Sequence, residues 1–283
     1  MEAVRAAGCA APAPILPSRA VRIALSIAGS DPTGGAGLQL DLRVFQALGV
    51  HGAGVVSALT VQDTAKVHRV LPVFPSVVLE QLRHVLADLR PHAVKLGMLA
   101  TDDVARAVEL GLSGFAAGEA PPRVVDPVLA ASDGTPLLER RAWPTLLRLC
   151  RGAALVTPNL PEAALLAGRD VSSEQGAEAA ARWWLEEVGA EAVLLKGGHR
   201  EGPPDDLLVR RTGGTTSLDW LRGERVPGGG AHGTGCALAA AVAAELARGA
   251  ELAAAVAAAR AFVAAALRRA VRVGAGARLL VLA

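Results

Sequence analysis

Short apolar runs of strand length alternate with helix-length amphipathic patterns along this chain, and that alternation constrains the fold more than any single motif. The strand candidates are Ile23–Ala28, Gly54–Leu59, Ala93–Leu96, Arg123–Val125, Ala153–Val156 and Ala192–Leu195. Helical patterns fall between them at 38–48, 76–90, 102–111, 139–150, 160–167 and 174–188. Strands apolar throughout are buried on both faces, which calls for a mostly parallel sheet with helices above and below it. The expectation is an α/β chain with three layers, α/β/α. Asp206–Arg211 and Thr215–Trp220, joined through Gly213-Gly214, predict a hairpin at the sheet edge. The alanine-rich stretch 237–267 reads as two helices parted near Arg248-Gly249. With no repeat or interior linker, residues 21–283 are expected to form one domain. The Ala- and Pro-rich residues 1–20 are expected to be a disordered extension.

Composition narrows the partners. Aromatic residues make up 3% of the 283, with no Tyr, which disfavours base-stacking platforms. The net charge of +2 leaves no basic stripe for nucleic acid. Cys9, Cys150 and Cys236 are odd in number and lack CxxC spacing, which argues for a reducing, cytoplasmic setting and against disulfides or zinc. Glu245, Arg248, Glu251 and Arg260 interrupt the alanine-rich stretch, so no membrane span is expected. Those exclusions leave a small-molecule partner.

In open α/β sheets ligands bind beyond the carboxyl ends of the strands. Several residues with chemical potential fall there. Gly29–Gly37, after the first strand, is a glycine-rich turn without the Walker A lysine, since Gly35 stands in its place, and without GxGxxG spacing. It either packs tightly or lets backbone approach a flat molecule. Asp41 lies on the apolar face of the next helix, where burial demands a partner: loop amides or a polar ligand group. Thr60 and Gln62 end the second strand. An amide that both donates and accepts suits a ring bearing an amino group beside a ring nitrogen, although loop hydrogen bonding would explain it equally. Met98, after the third strand, packs either on a ring or in the core.

Asp126 ends the fourth strand, a good position for Mg²⁺. Asn159 and Glu162 have capping-box spacing, and a carboxylate with spare lone pairs could also serve a metal through water. Lys196 precedes two glycines at a strand end, as a phosphate contact or a snorkelling side chain. Gly233-Thr234-Gly235-Cys236 opens a helix from small residues, which makes an anion site at the helix N-terminus. The same field is expected to depress the pKa of the Cys236 thiol.

In order, these pieces resemble the ribokinase-like superfamily, and within it the hydroxymethylpyrimidine kinase / phosphomethylpyrimidine kinase branch of thiamin biosynthesis. The resemblance rests on Ala24–Gly37, Gln62-Asp63-Thr64, Lys95–Met98, Asp126-Pro127-Val128, Val156–Glu162, Lys196–His199 and His232–Cys236, and covers roughly residues 21–270. It implies a ribokinase-like fold and a pyrimidine held by Gln62, with Ala36, Thr60, Asp41 and Met98 around it. It further implies an anion hole at Gly233, Thr234 and Gly235, with Cys236 as proton acceptor or hydrogen-bond partner. ATP would donate the phosphoryl group with Mg²⁺ near Asp126 and Glu162 and phosphates near Lys196 and Asn159, leaving room for a monovalent cation. A homodimer is implied as well.

Two segments depart from the family pattern. Leu129-Ala130-Ala131-Ser132-Asp133-Gly134 replaces the common Met and Lys or Thr before Ser-Gly, and the tail Gly274–Leu282 lacks the usual Gly/His-rich segment. The reading that follows is phosphorylation of 4-amino-5-hydroxymethyl-2-methylpyrimidine and then of its monophosphate. Two competitors stand beside it: a pyridoxal/pyridoxine kinase, and a catalytically silent pyrimidine-binding regulator.

Overall fold

A computed structural model describes residues 21–115, 119–198 and 202–282. The N-terminal extension 1–20 and His199 lie outside the described residues. Nine strands form one sheet in the order β3-β2-β1-β4-β5-β6-β7-β8-β9. The parallel centre consists of β1 (Ile23–Ser30), β2 (His51–Gln62), β4 (Ala93–Leu96), β5 (Arg123–Val125), β6 (Leu155–Val156) and β7 (Ala192–Leu195). Antiparallel strands close both edges: β3 (Val67–Pro72) on β2, and the expected hairpin of β8 (Asp206–Thr212) and β9 (Thr215–Leu221) on β7.

Successive residues of the central strands point to opposite faces, and each face has its own core. On one, Leu25, Ile27, Val94, Leu96, Val193 and Leu195 pack under a helical layer that begins with α2 (Pro75–Leu89) and α3 (Asp102–Leu112). That layer continues through α4 (Trp143–Cys150), α5 (Leu160–Ala167) and α6 (Glu174–Trp183). On the other, Ala24, Ala93, Val124, Ala192 and Leu194 meet α1 (Gly37–Ala47), α7 (Thr234–Ala247) and α8 (Leu252–Arg268). Small strand side chains under an alanine-rich α7 let that helix lie close against β1, β4 and β5. Close seating puts the α7 N-terminus at the carboxyl ends of the strands. The three-layer expectation holds, as does the break between α7 and α8.

The differences are local. Strand β3 was not foreseen because its exposed and half-buried positions show no strand periodicity. The 139–150 pattern starts as a 3₁₀ turn at Arg140–Ala142, and the 174–188 pattern ends in a π turn at Trp184–Val188. The divergent tail folds back: β11 (Arg278–Leu279) pairs in parallel with β10 (Ala231–His232), directly before the Gly233–Cys236 turn. Ala277 N–H donates to the Thr64 carbonyl at 2.8 Å, and Gly276 N–H to Thr64 Oγ1 at 3.0 Å. The tail therefore ties the turn after β2 to the approach of α7.

Candidate active site

Order reverses at β1, whose neighbours β2 and β4 are reached on opposite sides, and a crevice opens beyond the carboxyl ends of these strands. A cleft of about 1250 Å³ lies there. It is lined by Ala36, Thr60, Gln62 and Met98, by Gly233–Cys236, and by Asp126, Asn159, Glu162 and Lys196, with Lys196 Nζ and Asp126 Oδ2 beside Gly235. It then runs on toward Ala261 and Ala264 of α8, an apolar wall that no sequence motif announced.

Two glycines make the Gly233–Cys236 turn possible. Gly37 has φ +58°, and a Cβ there would sit 2.3 Å from the Gly29 carbonyl oxygen. Gly233 has φ +81°, and its Cβ would fall 2.0 Å from the Gly35 carbonyl oxygen. The β1 loop and the α7 turn thus touch backbone to backbone, a contact only glycine permits. Gly233 caps α7, and the first intrahelical bond runs from Ala237 N–H to the Gly233 carbonyl, so the N–H groups of 234–236 precede the helical ladder.

Cys236 does not behave as the helix field alone predicts. Its thiol is pushed up to about 11, chiefly by burial, with Asp126 and Asp41 adding to the rise and Lys95 opposing it. The backbone N–H of Gly37 also opposes the rise. Withdrawal of water outweighs the helix field, so the expected depression is corrected to a protonated thiol at neutral pH.

Asp41 also departs from expectation. It touches neither loop amides nor the cleft: it is fully buried, and its Oδ2 receives Lys95 Nζ at 2.7 Å and Ser26 Oγ at 2.6 Å. Burial pushes its carboxyl up, while the carboxylate holds the buried Lys95 ammonium above its ordinary range. Asp41 thus stands behind the wall of the site and Lys95 on it. Lys95 appeared in the sequence only as part of a run, and periodicity gives no sign that a lysine inside a four-residue apolar strand is an ion-pair partner.

Lys196 Nζ donates to Asp126 Oδ1 at 2.8 Å, and Thr157 Oγ1 to the same oxygen at 3.1 Å. Both bonds fall on Oδ1, and Oδ2 lies beside Gly235, 3.7 Å from where its Cβ would be. The capping box at Asn159 and Glu162 is present in both directions, at 2.8 and 2.7 Å. Burial raises the Glu162 carboxyl to about 7, against Lys196 and together with the charge of Asp126. Burial alone would lower Lys196, but Asp126 and Glu162 hold it above its usual value.

A second pair lies in the same cleft. Asp31 is buried and accepts from Thr33 and Ala36 backbone N–H groups at 2.8 Å each and from His232 Nε2 at 3.0 Å. Although burial opposes it, these bonds hold the Asp31 carboxyl at about 2. His232 thereby fastens the β1 loop to the α7 turn.

The profile described as phosphomethylpyrimidine kinase matches residues 31–280. The hydroxymethylpyrimidine/phosphomethylpyrimidine kinase of Rhizobium meliloti is 42% identical over 262 residues, covering 90% of this chain and 93% of the relative. A phosphomethylpyrimidine kinase structure from Clostridium difficile superposes with TM-score 0.75 at 32% identity, over 87% of this chain and 99% of that one. A pyridoxal kinase from Bacillus subtilis, solved as an ADP complex, superposes with TM-score 0.81 at 30% identity, over 92% and 97%. By its sequence along nearly its whole length, and by its fold, this chain belongs to the phosphomethylpyrimidine kinase family.

Proposed function

We propose that the cleft transfers a phosphoryl group from ATP to the hydroxymethyl oxygen of 4-amino-5-hydroxymethyl-2-methylpyrimidine, and then to the resulting monophosphate, in thiamin biosynthesis. The observation that carries this reading is the chemistry gathered in one cleft: Gln62, the backbone turn Gly233–Cys236, and Lys196 with Asp126 and Glu162, with Lys196 Nζ and Asp126 Oδ2 set against Gly235 of the turn. Thr60 Oγ1 donates to the Ser30 carbonyl at 2.9 Å, which holds the end of β2 against β1 and presents Gln62. Ala36 and Met98 supply apolar surface for a flat ring.

Phosphoryl transfer asks mainly for alignment and charge stabilisation. The free N–H groups of residues 234–236 and the α7 dipole answer charge developing on the transferred group. Lys196 and Asn159 hold phosphate oxygens. Cys236, a thiol at neutral pH, orients the attacking hydroxyl by hydrogen bonding rather than removing its proton as a resting thiolate.

Mg²⁺ fits the residues present. Asp126 Oδ2 is clear of its ion pair, and the charge of Asp126 raises the proton affinity of Glu162, a repulsion that a divalent cation relieves. Two carboxylates plus phosphate oxygens and waters are a common Mg²⁺ donor set. Bound there, the ion would neutralise charge on the nucleotide phosphates. A monovalent cation remains part of the reading only through the family resemblance.

The surface supports a homodimer. Leu59 and Leu71, paired across β2 and β3, are 49% and 39% exposed, and Phe74 beside them is 79% exposed. Exposed apolar residues at this sheet edge are suited to contact with a second copy. Among the described residues no helix is long and apolar enough to cross a membrane. We assign a cytoplasmic setting on cysteine usage. Mass spectrometry of the pyrimidine after incubation with Mg-ATP tests the activity: products carrying one and two added phosphoryl groups are expected. Unmodified pyrimidine that nonetheless binds would instead support the silent regulator.

A further inference from the structure

Asp206, the first residue of β8, joins two walls of the cleft that nothing local in the sequence connects. Its Oδ1 accepts the Gly197 backbone N–H at 2.9 Å, and its Oδ2 accepts Arg260 Nε at 2.8 Å. Gly197 directly follows Lys196. A Cβ on Gly197 would fall 1.8 Å from the Asp205 carbonyl oxygen, so the chain leaving β7 lies against the start of β8 at a distance only glycine allows. On the other side, Lys196 N–H donates to the Pro158 carbonyl at 2.9 Å. Both peptide groups that flank Lys196 are thus anchored, one by Pro158 and one by Asp206.

Arg260 belongs to α8, the helix whose Ala261 and Ala264 form the apolar wall of the cleft. Its Nη2 donates to the Leu221 carbonyl at 2.9 Å and to the Arg222 carbonyl at 3.0 Å, where β9 ends. One guanidinium therefore gathers the start of β8, the end of β9 and α8, using the planar fork that a lysine lacks. The Asp206 and Arg260 side chains are 14% and 22% exposed, so solvent screens this pair less than a surface bridge. Both residues line the same cleft as Lys196.

We propose that Asp206 and Arg260 are positioning residues for phosphoryl transfer: they lock the backbone that carries Lys196 to the α8 wall, so that its ammonium meets the nucleotide phosphates at one fixed place. The inference rests on the reading of Lys196 as a phosphate contact and deepens it. Transfer depends on alignment, and a misplacement of about 1 Å can cost about 10²-fold.

The test is a double-mutant cycle of Asp206→Ala and Lys196→Met, read as calorimetric Kd for Mg-ATP and for the pyrimidine, with kcat alongside. Asp206→Ala should raise Kd for Mg-ATP roughly tenfold and lower kcat, while Kd for the pyrimidine stays within about twofold. In the Lys196→Met background the same change should add less than about twofold to Kd for Mg-ATP, because its effect passes through Lys196. A merely structural role would weaken both ligands and act alike in both backgrounds. Either of those results overturns the proposal. Should Asp206→Ala fail to fold, Arg260→Lys takes its place in the cycle, with the same selective and non-additive loss expected and the same results overturning it. An unchanged Kd for Mg-ATP in Lys196→Met would refute the phosphate role of Lys196 and this inference with it. No phosphorylation of any pyrimidine by the unaltered protein would instead refute the kinase reading, with the Kd cycle still reporting whether Asp206 acts through Lys196.

Discussion

Replacing Lys95 by Met isolates a fully buried ion pair. Lys95 and Asp41 are both fully buried and 2.7 Å apart. Among the described residues the one other side-chain bond to the carboxylate comes from Ser26, and Asp41 Oδ1 has no hydrogen-bond partner. Without the ammonium, Asp41 either stays charged in an apolar surround or takes up a proton. At pH 7.5, protonating a carboxyl with an ordinary value of 3.8 costs about 5 kcal/mol at ~1.36 kcal/mol per pH unit. Breaking a buried pair by removing one partner typically costs about 3–5 kcal/mol, in agreement. At roughly 2–4 °C per kcal/mol, Tm should fall by about 6–20 °C. The double variant Lys95→Met/Asp41→Asn removes both charges and should recover about 2 kcal/mol or more relative to the sum of the single changes. Urea unfolding of all four proteins at pH 7.5, followed by circular dichroism, measures this cycle. Additive effects, or a cost below about 1 kcal/mol for Lys95→Met, would refute the pairing argument.

Three further outcomes follow from the geometry. Gly233→Ala drives a Cβ to within 2.0 Å of the Gly35 carbonyl oxygen, so the anion-hole turn must move; kcat should fall by about 10²–10³-fold while ATP Kd by calorimetry shifts far less, and kcat within about threefold would contradict the turn's role. Glu162, raised from 4.5 to about 7, favours its protonated form in the fold, so its stabilising contribution is complete below pH 4.5 and is lost as pH rises to about 7. Metal binding needs the ionised form, so kcat/KM for Mg-ATP should rise with pH through about 7, and Glu162→Gln should abolish that limb; an unchanged inflection would assign it elsewhere. Leu71→Asp places a charge on the exposed β2–β3 face and should convert dimer to monomer in sedimentation; a monomeric unaltered protein would remove the dimer from the account.

The layers and the positions of the motifs were legible because both follow from periodicity: apolar strands need two covering layers, and polar residues at strand ends need a cleft. Asn159 and Glu162 were legible as a cap for the same local reason. Long-range pairs were not. Asp41 stood out as a buried acid, but nothing local connects it to Lys95, 54 residues away. Asp31 and His232 are 201 residues apart and meet only because α7 seats its N-terminus against the β1 loop. For Cys236, reading the helix terminus alone gave the wrong sign, because desolvation is a property of the packed environment. The tail, which departs from the family in sequence, still closes onto β10 through backbone pairing, which asks little of side-chain identity.

The proposed activity is that of an ATP-dependent kinase acting on an aminopyrimidine. It is tested most directly by measuring kcat/KM side by side, with Mg-ATP, for 4-amino-5-hydroxymethyl-2-methylpyrimidine, its monophosphate and pyridoxal. Turnover of both pyrimidines is expected, with pyridoxal well below them. A higher kcat/KM for pyridoxal than for either pyrimidine would contradict it.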